Sequence, residues 1–300
     1  MTADILIVGS GALATYFAGR LSSAGVEVMM LGTWTEGLAA LRYRGAHLDG
    51  LGNYGVQVSE SPADCQGLKY ALVLVKSWQT ERAGYQLADC LSEDGLVVTL
   101  QNGLGNDEIL SRLLGPKRVA RGVTTIGAAL LGPGFVRSSG EGDVTIETHA
   151  RLTKMVELLR VAEFEVNVVQ DAQPFVWGKL MINAAINPLT ALLRVKNGEL
   201  LENPQARVIM KDLAREAAFV AEMSGVVLPY PIPECAVEDV ARDTSDNISS
   251  MLQDVLRGAP TEVDAINGAI VRTGVQKGIL TPVNRAVWLL VRVLAHFGKI

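Results

Sequence analysis

An α/β fold, with an N-terminal parallel sheet covered by helices and an all-helical C-terminal domain, is predicted by three observations. Short apolar runs alternate with helical patterns up to about residue 170, the signature of strands joined by crossover helices. A glycine-rich turn follows the first of these runs and opens the first helical pattern. After Asp171 the strand-like runs stop, and residues 174–299 read as helices only. The domains are placed at 1–170 and 171–300.

The elements follow in order. Residues 4–8 read as a buried strand, 11–24 as a helix stopped by Gly25, and 26–31 as a second strand. Residues 56–59 give a weak strand, 71–75 and 96–100 strong ones, and 119–125 and 144–147 two more. Beyond the boundary, residues 174–193 form a long apolar helical pattern. Later helices are separated by breaks at Gly198, 225–233, 258–260 and 278–282, with Pro at helix starts and Gly after helix ends.

The 300 residues are 49% hydrophobic and 20% charged, enough to bury a sizeable core. A net charge of −5 with no basic run excludes a nucleic-acid partner, which needs concentrated positive charge. Cys65, Cys90 and Cys235 are odd in number and scattered, so neither a disulfide framework nor a metal site is expected, only reduced thiols in a cytoplasmic protein. Residues 5–8 are too short for a signal core, and no apolar run is long enough to cross a membrane. The apolar stretch 286–297 is interrupted by Arg292 and His296 and reads as a packed helix.

The turn Gly9-Ser10-Gly11-Ala12-Leu13-Ala14 has the spacing of a dinucleotide-binding loop. The first glycine permits the tight turn and the second lets the backbone approach a pyrophosphate. The third position needs a small residue where helix meets strand, which Ala14 supplies. The helix N-terminus offers N–H groups and partial positive charge to the phosphates. At the end of the second strand, an acidic residue would favour NAD and an Arg NADP. The chain has Gly32-Thr33-Trp34 there, with Glu36, Arg42 and Arg44 further on.

In open parallel sheets ligands bind beyond the carboxyl ends of the strands. The run 71–75 ends at Lys76 and the run 96–100 at Gln101-Asn102-Gly103, so a phosphate loop, an ammonium and an amide are expected on one edge. On the long helix, Lys179, Asn183 and Asn187 recur every four residues and make a stripe about 12 Å long. Such amides on an apolar helix point to a ligand-facing surface rather than a solvated face. Pro188 removes a helical N–H and frees the carbonyl of Ala184. Lys179 is the best proton donor for a reduced carbonyl, and burial against an apolar wall would lower its pKa. His47, in a glycine-flanked loop, His149 and His296 read as structural or exposed. Residues 246–254 start a polar helix in which Ser249 and Ser250 could cap. Glu262 falls in the first turn of the helix after Gly258-Ala259-Pro260.

Trp177-Gly178-Lys179-Leu180, Asn183, Asn187-Pro188-Leu189-Thr190-Ala191, Asn197-Gly198-Glu199-Leu200, the block from Asn247 to Asp254, and Glu262 with Asp264 and Asn267-Gly268 resemble the ketopantoate reductase family. The glycine loop, Lys76 and Gln101-Asn102-Gly103 extend the likeness to the N-terminal part. The resemblance implies a Rossmann-type domain followed by a helical one, and reduction of 2-dehydropantoate to pantoate by NADPH on the way to pantothenate and coenzyme A. It implies Lys179 as proton donor, with Glu262 hydrogen-bonded in the same network. It assigns Asn102, Lys179, Asn183, Asn187, Asn197, Asn247 and Ser250 to the substrate, and Gly9 to Ala14, Lys76, Asn102, Ala128 and Glu262 to the cofactor. Family members often carry an Arg after the second strand to hold the 2′-phosphate. Gly32 stands in its place and leaves NADH open.

Two other functions remain in view: a related 2-hydroxy-acid dehydrogenase acting on another small 2-oxo acid, and a non-catalytic nucleotide-sensing protein. The retained Lys179, Asn102 and Glu262 argue against the sensor. A homodimer is suggested by Val287, Leu289, Leu290, Val293 and Leu294 in the apolar last helix.

Overall fold

Ile-Leu-Ile-Val at residues 5–8 forms β1 (Ile5–Val8), with all four side chains buried, as a strand covered on both faces requires. The computed structural model describes residues 3–297, with side chains to Leu294. The expectations that touch Met1, Lys299 and the side chain of His296 therefore lie outside what is described.

After β1 come α1 (Ala12–Ser23), β2 (Val28–Leu31), α2 (Thr35–Arg44), β3 (Ala46–Leu48), β4 (Gly52–Tyr54), β5 (Gln57–Ser59), β6 (Leu68–Val73), α3 (Thr80–Cys90) and β7 (Leu91–Thr99). They are followed by α4 (Asn106–Leu114), β8 (Val119–Thr124), β9 (Ala128–Gly132), β10 (Phe135–Ser138), β11 (Asp143–Glu147), α5 (Thr153–Val161) and β12 (Glu165–Val169). The helical part comprises α6 (Gln173–Leu193), α7 (Glu199–Glu202), α8 (Pro204–Met223), α9 (Pro233–Asp243), α10 (Ser250–Leu256), α11 (Asn267–Lys277) and α12 (Pro282–Phe297).

By packing, the chain divides into two units. One runs to Gln101 and resumes over Asn106–Ala172; the other is Asn102–Gly105 together with the chain from Gln173 onward. A single cut near residue 170 does not anticipate the four-residue excursion at Asn102.

In the first unit the sheet order is β12-β11-β8-β7-β6-β1-β2-β5, parallel except where β8 meets β11. From β1 the chain builds outward through β2 and β5, then returns to the other side of β1 as β6. The order reverses there, and in open α/β sheets ligands bind beyond the strand ends at such a point. A second sheet, β4-β3-β10-β9, is absent from the sequence expectation, as is β12. Its strands β3 and β4 have three residues each, too short for alternation to register. His47 accordingly stands on a strand, its ring stacked on Phe135 at 4.1 Å, instead of in a loop. Helix α1 packs against β1 and β2 on one side and β3, β9 and β10 on the other. Its Phe17 is fully buried and stacks on Phe164 at 4.4 Å.

In the second unit α6 is the central element, packed by α8, α9, α10 and α12. Burying one Leu, Ile or Met side chain is worth about 1.5–3 kcal/mol, so Leu180, Met181, Ile182, Ile186 and Leu189 make α6 the anchor of this core. Lys211 and Arg207 of α8 pair with Glu238 of α9, and Arg215 pairs with Glu234 at 2.7 Å. On α12, Val287 and Val291 turn inward while Leu289, Leu290 and Val293 stay about half exposed.

Among the described residues no helix is long and apolar enough to cross a membrane, and no group of His, Cys, Asp and Glu could hold a metal. Burial pushes the Cys65 and Cys90 thiols up to about 11 and about 12, which keeps both protonated and inert at neutral pH.

Candidate active site

Gly9 follows β1 with φ +133°, a conformation that side chains resist. A Cβ there would also sit 3.2 Å from the Leu74 backbone and 3.3 Å from the Ala14 methyl. The turn is therefore tight for two independent reasons, and Ala14 is as large a residue as the strand–helix contact accepts. Gly11 differs: a Cβ on it would meet no protein atom within 4 Å, and the residue is exposed. No side chain caps the N-terminus of α1. An open backbone in front of uncapped helical N–H groups suits a pyrophosphate, so the loop fits the nucleotide that its spacing implies.

Strands β1, β6 and β7 are adjacent and parallel, so the chain leaves all three on the same edge. Gly9 follows β1 there. Lys76, partly buried, opens a short helical turn after β6. Gln101 follows β7 and donates from Nε2 to the Val75 carbonyl at 2.9 Å and the Thr80 hydroxyl at 2.8 Å, tying the Lys76 loop to its neighbour. This fastening role of Gln101 is not visible in the sequence, where the residue reads only as the polar end of a strand. Ala128 is carried elsewhere, at the start of β9 in the second sheet.

The end of β2 is closed around Gly32. A Cβ at this position would lie 2.9 Å from the Ser10 hydroxyl oxygen. A side chain here would require the Ser10 hydroxyl of the glycine loop to rotate away. Arg42 and Arg44 lie in the last turn of α2, and Arg44 donates to the Pro133 carbonyl at 3.2 Å. They stand two turns or more beyond Gly32.

In the second unit, residues 177–191 of α6 are all buried except Lys179 and Asn183. Asn187, one turn on, is 7% exposed. Lys179 and Asn183 are thus the accessible part of the stripe on this stretch, and Asn187 continues it into the core. The Asn187 carbonyl accepts from the Thr190 hydroxyl at 2.9 Å, and that hydroxyl lies 2.7 Å from Ser249. Ser249 is the cap of α10, accepting from the Leu252 N–H at 3.1 Å, which leaves Ser250 as an exposed first residue of the helix. The polar helix expected from residue 246 therefore begins at Ser250.

Asn197 and Asn247 are brought together by the bond from Asn197 N–H to the Asn247 carbonyl at 3.1 Å. Gly198 makes this approach feasible, since a Cβ would sit 2.6 Å from that of Ser245. Asn197 donates from Nδ2 to the Thr244 hydroxyl at 2.9 Å, while its buried Oδ1 has no hydrogen-bond partner.

Glu262 is 5% exposed and accepts from Asn102 Nδ2 at 3.3 Å. It does not lie in the first turn of a helix. It sits in a turn five residues before α11, its carbonyl accepting from the Ala265 and Ile266 N–H groups at 3.0 Å. The helix starts late because the Ala265 carbonyl accepts from the Leu104 N–H at 3.0 Å. Gly103 lets that happen: its φ is +89°, and a Cβ would lie 2.6 Å from the Ala265 oxygen. The Asn-Gly pair is thus a docking contact as well as a turn. His149 is structural, with Nε2 at 3.1 Å from the Lys117 carbonyl and Nδ1 accepting from the Arg151 N–H.

A loop suited to a dinucleotide at the switch point of a parallel sheet is the mark of a nucleotide-dependent enzyme, and the helical unit carries Lys179 and Asn183 part-accessible on an otherwise buried stretch. Comparison with known proteins agrees. Residues 5–151 match the model described as ketopantoate reductase PanE/ApbA, and residues 171–295 that of its C-terminal domain. The 2-dehydropantoate 2-reductase of Archaeoglobus fulgidus is 38% identical over 96% of each chain. That of Halobacterium salinarum is 34% identical over 98% of this chain and 99% of its own. The crystal structure of a PanE/ApbA family ketopantoate reductase from Ralstonia eutropha superposes with a TM-score of 0.92 at 31% identity, covering 99% of each chain. D-mandelate dehydrogenase with NADH and anilino(oxo)acetate shares the fold, at a TM-score of 0.90 and 24% identity over 99% of each chain. The chain belongs to the ketopantoate reductase family of NAD(P)H-dependent oxidoreductases.

Proposed function

We propose that this protein reduces 2-dehydropantoate to pantoate, with NADPH as reductant and Lys179 as the proton donor. The observation that carries the reading is the stripe on α6, where Lys179 and Asn183 are the two accessible residues of an otherwise buried stretch. The 2-dehydropantoate 2-reductases that match over nearly the whole chain support the substrate. A bound nicotinamide supplies a hydride to the ketone carbon. The chain's own work is to hold the ketone and neutralise its oxygen. The Lys179 ammonium stabilises the negative charge that develops there and transfers a proton to it. Asn183 and Asn187 continue the same stripe and offer amides to the substrate's hydroxyl and carboxylate. Asn197, Asn247 and Ser250 complete the polar lining. Asn102 and Glu262, already bonded to each other, would hold the reacting end, with Asn102 shared by cofactor and substrate. Gly9 to Ala14, Lys76 and Ala128 would hold the nucleotide.

A second reading, NADH as reductant, is favoured by the end of β2. Gly32 offers no cation for a 2′-phosphate, and Arg44 donates to the Pro133 carbonyl. One assay tests both readings: absorbance at 340 nm with 2-dehydropantoate and each nucleotide in parallel. Rapid oxidation of NADPH is expected. Faster oxidation of NADH would reverse the cofactor assignment, and turnover only with linear 2-oxo acids would reverse the substrate.

A further inference from the structure

Helix α6 contains a defect at its centre. Pro188 has no N–H, so the Ala184 carbonyl, four residues back, loses its helical partner. Ala184 is fully buried, and an orphan carbonyl there would be costly. The structure supplies a replacement from 83 residues away: Asn267, at the start of α11, donates from Nδ2 to the Ala184 oxygen at 3.0 Å. The second proton of the same amide goes to Asn284 Oδ1 of α12 at 3.0 Å. Asn284 in turn donates to the Leu213 carbonyl at 3.1 Å and to Glu216 Oε2 at 2.9 Å, both on α8. Glu216 also accepts from the backbone N–H groups of Val283 and Asn284.

Both amides are fully buried, and the Asn267 Oδ1 has no hydrogen-bond partner. Asn267 is therefore held here for its two donors. Their targets belong to α6, which carries Lys179, Asn183 and Asn187, and to the α12–α8 scaffold. Asn267 itself begins the helix that follows the Glu262 turn, five residues on.

We infer that Asn267 is a positioning residue for the reaction: by bonding the Ala184 carbonyl that Pro188 leaves free, it fixes the helix bearing Lys179 in register with the turn bearing Glu262. The inference rests on the proposed roles of those two residues. A helix that slides by about 1 Å carries its ammonium off the ketone oxygen, a displacement that can cost on the order of 100-fold in rate.

The test is a double-mutant cycle with Asn267→Leu and Pro188→Ala in the full chain. Leu shares the branching of Asn, with bulkier methyls, and removes both donors; its added bulk is common to both backgrounds and cancels in the cycle. Pro188→Ala restores the N–H that the Ala184 carbonyl needs, which makes the Asn267 bond dispensable. Asn267→Leu alone is expected to lower kcat about tenfold or more and the melting temperature by on the order of 5 °C, with nucleotide affinity unchanged. In the Pro188→Ala background the same substitution is expected to lose less than half as much of both. The double variant also keeps the test alive should the single one fail to fold.

Additive effects would overturn the link through the carbonyl. Coupled melting temperatures with unchanged kcat would make Asn267 structural only and overturn the positioning role. The wild-type control separates the two hypotheses, because kcat is read on whichever 2-oxo acid the unmodified protein reduces. Failure on 2-dehydropantoate sinks the substrate assignment alone.

Discussion

Under the proposed function, the glycine loop of the first unit and the polar stripe of the second contribute by opposite routes. The loop works by what is missing. Gly9 and Gly11 leave backbone and space, and the recognition groups are main-chain N–H groups common to every residue. The stripe works by what is present: one ammonium and a series of amides on a helix whose other faces are core. The first kind of site tolerates changes of side-chain chemistry but no added volume. The second tolerates small shifts in volume but no loss of a functional group. The proposed hydride transfer needs both, a nucleotide held by shape and a ketone oxygen held by charge.

The largest effect is expected at Lys179. Lys179→Ala should lower kcat by roughly 10²–10⁴, measured at 340 nm, while nucleotide affinity, measured by fluorescence titration, stays within about twofold. Unchanged turnover would break the comparison outright, since the stripe would then hold no reacting group.

The loop can be sharpened by contrasting its two glycines. Gly11→Ala meets no protein atom within 4 Å and has an ordinary φ of −81°. It should leave the melting temperature unchanged and still weaken nucleotide binding about tenfold or more, because the added methyl occupies the phosphate's approach. Gly9→Ala should weaken binding and also destabilise the fold. Equal behaviour of the two variants would show that the loop is only a structural turn.

Gly103→Ala comes next. It forces a positive φ on Ala and drives a methyl against the Ala265 oxygen, so a loss of about 1–3 kcal/mol in a denaturant titration is expected. A fall in kcat should accompany it, as Asn102 and Glu262 are carried by the two segments forced apart. A stable variant with full kcat would mean that the Asn102–Glu262 contact is incidental.

The smallest effect concerns the scaffold beneath the stripe. The Arg207 guanidinium, assisted by Lys211, holds the Glu238 carboxyl down to about 2 from 4.5. A depressed carboxyl stabilises the fold above its unfolded value and loses that contribution as pH falls through the folded one. Wild type should therefore melt above Glu238→Gln at pH 7, with the gap closing between pH 4.5 and pH 2. A gap independent of pH would assign the effect to packing.

Much of this architecture is legible in the chain because it is written locally. The run at residues 5–8, the glycine spacing after it and the step of four from Lys179 to Asn187 each act within one element, and periodicity alone exposes them. Strands β3 and β4 escaped because three residues carry no period. The late start of α11 escaped for a different reason: Ala265 looks like any helical residue until Leu104 claims its carbonyl. Asn267 escaped likewise, since an Asn-Gly pair at a helix start reads as an ordinary turn signal.

The sequence by itself determined the alternation of central strands and helices up to about residue 170, the helical character of the rest, the glycine loop and the chemical character of the helix stripe. It also determined that Ala184 would need a donor, because Pro188 cannot supply one. Only the tertiary structure decided which donor that is, how Gly103 reaches the Glu262 turn, and that Gly32 lies against the Ser10 hydroxyl. The physical reason is the same in each case. A hydrogen bond or a van der Waals limit between residues far apart in sequence leaves no trace in local pattern, and it exists only once the backbone has closed around it.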